Sequence, residues 1–182
     1  RFVLNRFSSF GLVMASPLLV NVVELTRRQG TLKDIQLIVP ASVFVFDDAR
    51  IAETDQIDVD LHLESVSGGI VVNGTVAGKW ATSCRRCLRE LHLVATAEVD
   101  ELYQQVVDNP DAYPMTGEQL DLTGMARETL LLAMADAPLC RPDCPGLCPQ
   151  CGADLTTAPC GCQAQRTDER WAILDQLRGE LD

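Results

Sequence analysis

The sequence predicts an α+β protein: an antiparallel, barrel-like β-sheet, one or two helices packed on it, and a cysteine-rich C-terminal segment. Three observations carry that reading. Residues 57–64, 70–80 and 91–99 are consecutive strand-like stretches with short joins, the first of them in strict apolar–polar alternation. Residues 122–133 carry apolar side chains at helical spacing. Six of the eight cysteines crowd into residues 138–166, a stretch with little else to bury.

In chain order, residues 17–24 (PLLVNVVE) are apolar and β-branched and read as a first strand. Thr26-Arg27-Arg28-Gln29-Gly30 breaks it with a small basic cluster. A second short apolar run, residues 34–39, is closed by Pro40. Ile57, Val59, Leu61 and Leu63 then face one way, and Asp58, Asp60, His62 and Glu64 the other. Ser67-Gly68-Gly69 turns the chain into residues 70–80, where Gly74 and Gly78 suggest a bulge or strong twist. After Cys84 and Cys87, a third strand places Leu91, Leu93, Ala95, Ala97 and Val99 on one face. Residues 104–119 lose the period, gain two prolines and read as a loop or linker. Asp121 is placed to cap a helix running to about Ala135, with Leu122, Met125, Ala126, Thr129, Leu130 and Ala133 as its stripe. Thr167 would cap a last helix carrying Trp171, Leu174, Leu177 and Leu181. No segment repeats another. The expected organisation is an N-terminal extension outside the fold (1–16, with Met14 as an alternative start), a sheet-and-helix body (17–137), and a segment (138–182) packed on the same domain.

At 182 residues and 47 % apolar content the chain builds one domain and not two full cores. Its 26 acids against 15 bases give a net charge of −11, which excludes a generic polyphosphate binder but leaves room for a local basic patch or a basic protein partner. No apolar run approaches the ~18 residues of a membrane-spanning helix, and we expect a cytoplasmic protein without membrane partners.

The cysteines fall at 84, 87, 140, 144, 148, 151, 160 and 162: CxxC, a long gap, then CxxxC, CxxC and CxC. Paired thiolates on tight turns chelate one ion, and a reducing compartment favours zinc over a disulfide framework or free thiols. Eight thiolates make two tetrahedral Zn²⁺ sites. The preferred partition gives Cys148, Cys151, Cys160 and Cys162 to a local site, and Cys84, Cys87, Cys140 and Cys144 to one tying the body to the tail. A rival partition puts Cys84 and Cys87 with Cys148 and Cys151, and a single ion with spectator thiols is a third arrangement. Closed Cys₄ sites are structural, not catalytic. Arg85 and Arg86, inside the first pair, also admit a redox CxxC, although that chemistry wants a helix after the motif and residues 88–102 read as strand.

Nothing in the sequence assembles a nucleophile with its base, so we expect no enzyme and no small-molecule substrate. His62 and His92 fall on polar strand faces, and the seven acids of residues 98–121 read as a solvated or partner-facing surface. Arg85, Arg86 and Arg89 around the first knuckle form a positive spot whose guanidinium forks suit RNA phosphates, unless they pair with Glu90, Glu98 or Glu101.

With these residues in view, the chain resembles the YceD family, the large ribosomal RNA subunit accumulation proteins of bacteria and plastids. The resemblance rests on Cys84-Arg85-Arg86-Cys87-Leu88, on Asp121-Leu122 opening a Leu-rich helix, on Pro138-Leu139-Cys140 through Cys162, and on Asp168-Glu169-Arg170-Trp171-Ala172-Ile173-Leu174. It covers roughly residues 17–180 and implies support of 23S-type ribosomal RNA accumulation, processing or large-subunit assembly, with ribosomal RNA or a pre-ribosomal particle as partner. The alternative we carry is a zinc-stapled acidic adaptor that holds a basic ribosomal protein or assembly factor without touching RNA.

Overall fold

The computed structural model describes residues 16–162. It holds a two-stranded sheet, a five-stranded sheet and two helices, an α+β arrangement. The strands are β1 (Leu19–Asn21), β2 (Leu32–Pro40), β3 (Gln56–Val66), β4 (Gly69–Ser83), β5 (Glu90–Gln104), β6 (Tyr113–Pro114) and β7 (Gln119–Asp121). The helices are α1 (Val23–Arg27) and α2 (Thr123–Ala133).

The five-stranded sheet runs in the order β2-β3-β4-β5-β6. Strands β2 and β3 pair antiparallel in register from Leu32↔Glu64 to Pro40↔Gln56, and β3 and β4 antiparallel from Ile57↔Gly78 to Val66↔Gly69. The six residues joining β4 to β5 are too few for a parallel crossover. Along β3 the alternation is realised: Ile57, Val59 and Leu61 are fully buried and Leu63 nearly so, while Asp58, His62 and Glu64 are exposed.

The sheet is open, which corrects the barrel-like expectation. Closure would require the last strand to pair with β2. That last strand, β6, is only two residues long and adds in parallel to the end of β5 at Tyr103↔Tyr113, so it offers no ladder to a nine-residue edge.

Three local expectations also change. The strand read at 17–24 stops at Asn21, whose Oδ1 accepts the Val23 backbone N–H at 3.0 Å and turns the chain into α1. The linker read at 104–119 contains β6 and β7, and β7 pairs with β1 from Leu19↔Asp121 to Asn21↔Gln119. Asp121 sits one position before the N-cap, Leu122, yet its carboxylate still accepts the Thr123 N–H at 2.9 Å. In the α2 stripe Leu122, Met125, Ala126 and Leu130 are buried, whereas Ala133 is exposed and Met134 takes the inward place. The helix read from Thr167 lies outside the described residues.

Two glycines in β4 answer to packing. Gly74 has φ +144, and a Cβ there would run into the Asp60 carbonyl of β3. At Gly78 a Cβ would lie 2.7 Å from Ile57 Cδ1 and 3.1 Å from Leu130 Cδ2, so the missing side chain admits α2.

The chain divides into two compact units. Among the described residues, the first takes 16–81 together with His92–Asp136, and holds the main apolar core. The second takes Thr82–Leu91 and 137–162. Its buried cluster is small: Cys84, Cys87 and Cys144, with Leu91, Leu139 and Cys140 partly buried against them. Among the described residues no helix is long and apolar enough to cross a membrane.

Candidate metal centres

The second unit brings all eight cysteines into two groups of four: Cys84, Cys87, Cys140 and Cys144, and Cys148, Cys151, Cys160 and Cys162. This is the preferred grouping of the sequence reading; the rival sharing of Cys84 and Cys87 with Cys148 and Cys151 is not what the fold assembles. Within each group every Sγ lies within 4.8 Å of the others. In the first, Cys84 and Cys144 are 3.9 Å apart and Cys87 and Cys140 3.7 Å. Four thiolates about 2.3 Å from a central zinc define a tetrahedron with edges of about 3.8 Å. A disulfide would need about 2.05 Å, and all eight thiols are free. The donor set and spacing therefore fit Zn²⁺ in both groups.

The two CxxC turns are built alike. The Leu88 N–H donates to the Cys84 carbonyl at 2.9 Å, and the Gly152 N–H to the Cys148 carbonyl at 2.9 Å. The Cys84 N–H donates to the Arg89 carbonyl and the Cys148 N–H to the Ala153 carbonyl, both at 2.8 Å. The residue after the second cysteine is left-handed in each, with φ 59 at Leu88 and φ 72 at Gly152. One hairpin is thus used twice, although the sequences share little beyond CxxC. Glycine suits that position; Leu88 is strained there and 64 % exposed.

These turns prepare thiolates. The Cys87 backbone N–H, ahead of other amides, lowers the Cys84 thiol to about 6. The Cys151 and Gln150 N–H groups lower Cys148 to about 6. Cys140 is pushed up to about 12 by sharing its proton with Cys144, and Cys162 to about 12 by sharing with Cys151. In each group the lowered thiol would be the first to meet a cation as thiolate, and binding of the ion would release the proton of the raised one.

The two groups differ in exposure. Cys84, Cys87 and Cys144 are buried and Cys140 half-buried. In the second group only Cys148 is buried, Cys160 is half-buried, and Cys151 and Cys162 are exposed.

All three knuckle arginines are exposed, but two are engaged. Arg86 Nη1 donates to the Cys144 carbonyl at 2.9 Å, and the Arg86 carbonyl accepts the Leu147 N–H at 3.0 Å. Arg89 Nη2 donates to Thr156 Oγ1 at 2.9 Å and lies 3.8 Å from Asp154 Oδ2. The Arg85 backbone N–H donates to the Pro138 carbonyl at 3.0 Å, while its guanidinium has no ion-pair or hydrogen-bond partner among the described residues. Gly146, at φ +78, lets its loop close on Arg86, whose carbonyl would lie 2.9 Å from a Cβ there.

Sequence reasoning missed Asp154 and Thr156. Thr156 Oγ1 donates to Asp154 Oδ1 at 2.6 Å and the Thr156 N–H donates to the same oxygen at 2.8 Å, holding the Asp154 carboxyl below its usual range. Asp-x-Thr is the available signal, a local side-chain turn. His62 and His92 belong to neither cysteine group.

A family model described as large ribosomal RNA subunit accumulation protein YceD matches residues 72–178, a span that takes in every cysteine. The chain belongs to the YceD family. It is 34 % identical to an uncharacterized protein of Mycobacterium tuberculosis over 184 residues, covering 92 % of this chain and 88 % of that one. A Mycobacterium leprae protein, also uncharacterized, is 30 % identical over 172 residues, covering 90 % of this chain and 79 % of its own length. No solved structure matches.

Proposed function

We propose that this YceD-family chain is a non-enzymatic, two-zinc factor of the cytoplasm that supports accumulation of large-subunit ribosomal RNA by associating with the assembling particle. The observation that carries the reading is the family match across both cysteine groups. The cysteine geometry supports the structural part. Each group supplies four thiolates, the full complement of a closed structural site, leaving no coordination position for a substrate. Zinc bound there would cross-link a segment otherwise poor in apolar burial. Full burial of Cys84 weighs against the redox reading, because thiol–disulfide exchange needs an accessible sulfur.

Arg85 is the knuckle residue best placed to meet RNA phosphate. Arg86 and Arg89 act chiefly within the unit, through the Cys144 carbonyl and through Thr156 with Asp154. The test is a tagged pull-down at moderate salt, with and without ribonuclease. We expect large-subunit RNA precursors to be recovered, protein partners to be lost on nuclease treatment, and Arg85→Ala to reduce recovery while zinc content stays at two ions. Recovery of one or two basic proteins that survive nuclease would replace this reading with the acidic adaptor.

A further inference from the structure

The basic pair Arg27 and Arg28 stands apart in a chain of net charge −11 and plays no part in the cysteine groups. Both side chains are exposed at the C-terminal end of α1, and neither has an ion-pair or hydrogen-bond partner among the described residues. Their neighbours Thr26 and Gln29 line a cleft of about 430 Å³ that extends to the β3–β4 turn and to the end of β5. That volume is in the range of small-ligand sites.

The cleft has a built polar wall. Gln104 is 6 % exposed, and its Oε1 accepts the backbone N–H groups of Asp108 at 3.3 Å and Asn109 at 3.2 Å. Those two bonds fix which way the amide points. Nε2 is left with donors that no described residue accepts, on a side chain that lines the cleft. Gly68, at φ +92, turns the chain beside this amide, its Cβ position 3.9 Å from Nε2. Ser65, also 6 % exposed, adds a hydroxyl to the same lining, and Val66 and Val106 supply apolar surface. No cation lines the cleft and Asp108 does, so a free anion would not be held inside it.

This chemistry describes a neutral group with hydrogen-bonding edges and apolar faces, joined to negative charge outside. Amides read base edges, and guanidinium groups take phosphate. A base can present its edge this way only when it is unpaired and unstacked. We propose that the cleft takes one unstacked nucleotide of single-stranded RNA, its base edge on the Gln104 amide and its flanking phosphates on Arg27 and Arg28. The inference rests on the reading of the chain as an RNA-associated factor.

The test uses the purified, zinc-loaded full chain and fluorescein-labelled ten-nucleotide RNAs: four single-stranded homopolymers and one blunt duplex. Anisotropy is read from low to moderate salt. Single strands should bind more tightly than the duplex. Arg27→Ala with Arg28→Ala should weaken single-strand binding and flatten the log–log salt slope by about 1.4, at about 0.7 per phosphate released. Val106 is 82 % exposed, so Val106→Glu tests the cleft wall at little risk to folding and should weaken binding at least about tenfold. Val107→Glu, the same charge one residue along and outside the lining, should bind as wild type. Wild-type affinity in Val106→Glu, an unchanged salt slope in the arginine variant, an equal preference for duplex, or no binding of single strands would each overturn the site. These failures leave the functional reading standing if the wild-type pull-down still recovers large-subunit RNA; loss of that recovery overturns the functional reading instead.

Discussion

Removing zinc should unfold the second unit and spare the first. Residues 137–162 contain no helix or strand of the fold, and ordering those 26 residues costs about 1–2 kcal/mol each. Against that cost the unit offers four partly buried leucines, Leu91, Leu139, Leu147 and Leu155, worth about 1–2 kcal/mol apiece, and a handful of turn hydrogen bonds. The deficit is tens of kcal/mol, the scale that two structural zinc sites at about 10–16 kcal/mol each can meet. The first unit keeps its own core of Ile57, Val59, Leu61, Leu122, Met125 and Leu130 among others. The assay is hydrogen exchange by mass spectrometry, with and without a strong zinc chelator. Amides of Leu147, Cys148, Gly152 and Leu155, each hydrogen-bonded within the unit, should lose protection, while β3 stays protected. Protection of residues 137–162 that survives removal of the metal would refute the argument. The second cysteine group, with Cys151 and Cys162 exposed, should yield its ion first, read as two phases of zinc release.

Further expectations follow from single residues. Leu88→Gly should stabilise the protein by about 1 kcal/mol, because glycine adopts φ 59 without strain and the lost leucine is 64 % exposed; a lower melting temperature would show that the side chain packs productively. Gly74→Ala should cost about 2–4 kcal/mol by driving a Cβ into the Asp60 carbonyl, lowering the melting temperature on the order of 5–10 °C, as calorimetry would read. Asp34 Oδ1 lies 2.7 Å from His62 Nδ1 across the β2–β3 pair and raises the His62 pKa. The stabilisation is therefore full below the unfolded value of about 6.5 and fades as pH rises through the raised folded value. An NMR titration should show His62 moving down in Asp34→Asn, and an unchanged curve would exclude the pair as the cause.

What could be read in advance depended on how local the information was. The β3 alternation and the α2 stripe are patterns a few residues long, and the buried sets match them nearly residue for residue. Asn21 shows the limit. Residues 17–24 have strand composition, but a short β7 partner and an Asn turn take only three of them into the sheet and hand the next to α1. Arg89 shows it again: the sequence neighbours offered Glu90, Glu98 or Glu101, whereas the fold delivers Thr156 and Asp154 from more than sixty residues away.

The sequence by itself determined the strand and helix periods, the cysteine spacing that limits each thiolate pair to one tight turn, and the family resemblance. Those are properties of short stretches, set by side-chain period and loop reach. Only the tertiary structure decided that the sheet stays open, which cysteine pairs meet, that one knuckle hairpin is used twice, and which knuckle arginine has no side-chain partner among the described residues. Each of these depends on where distant segments close on one another, and closure is settled by the summed burial and hydrogen bonding of the whole chain rather than by any window of it.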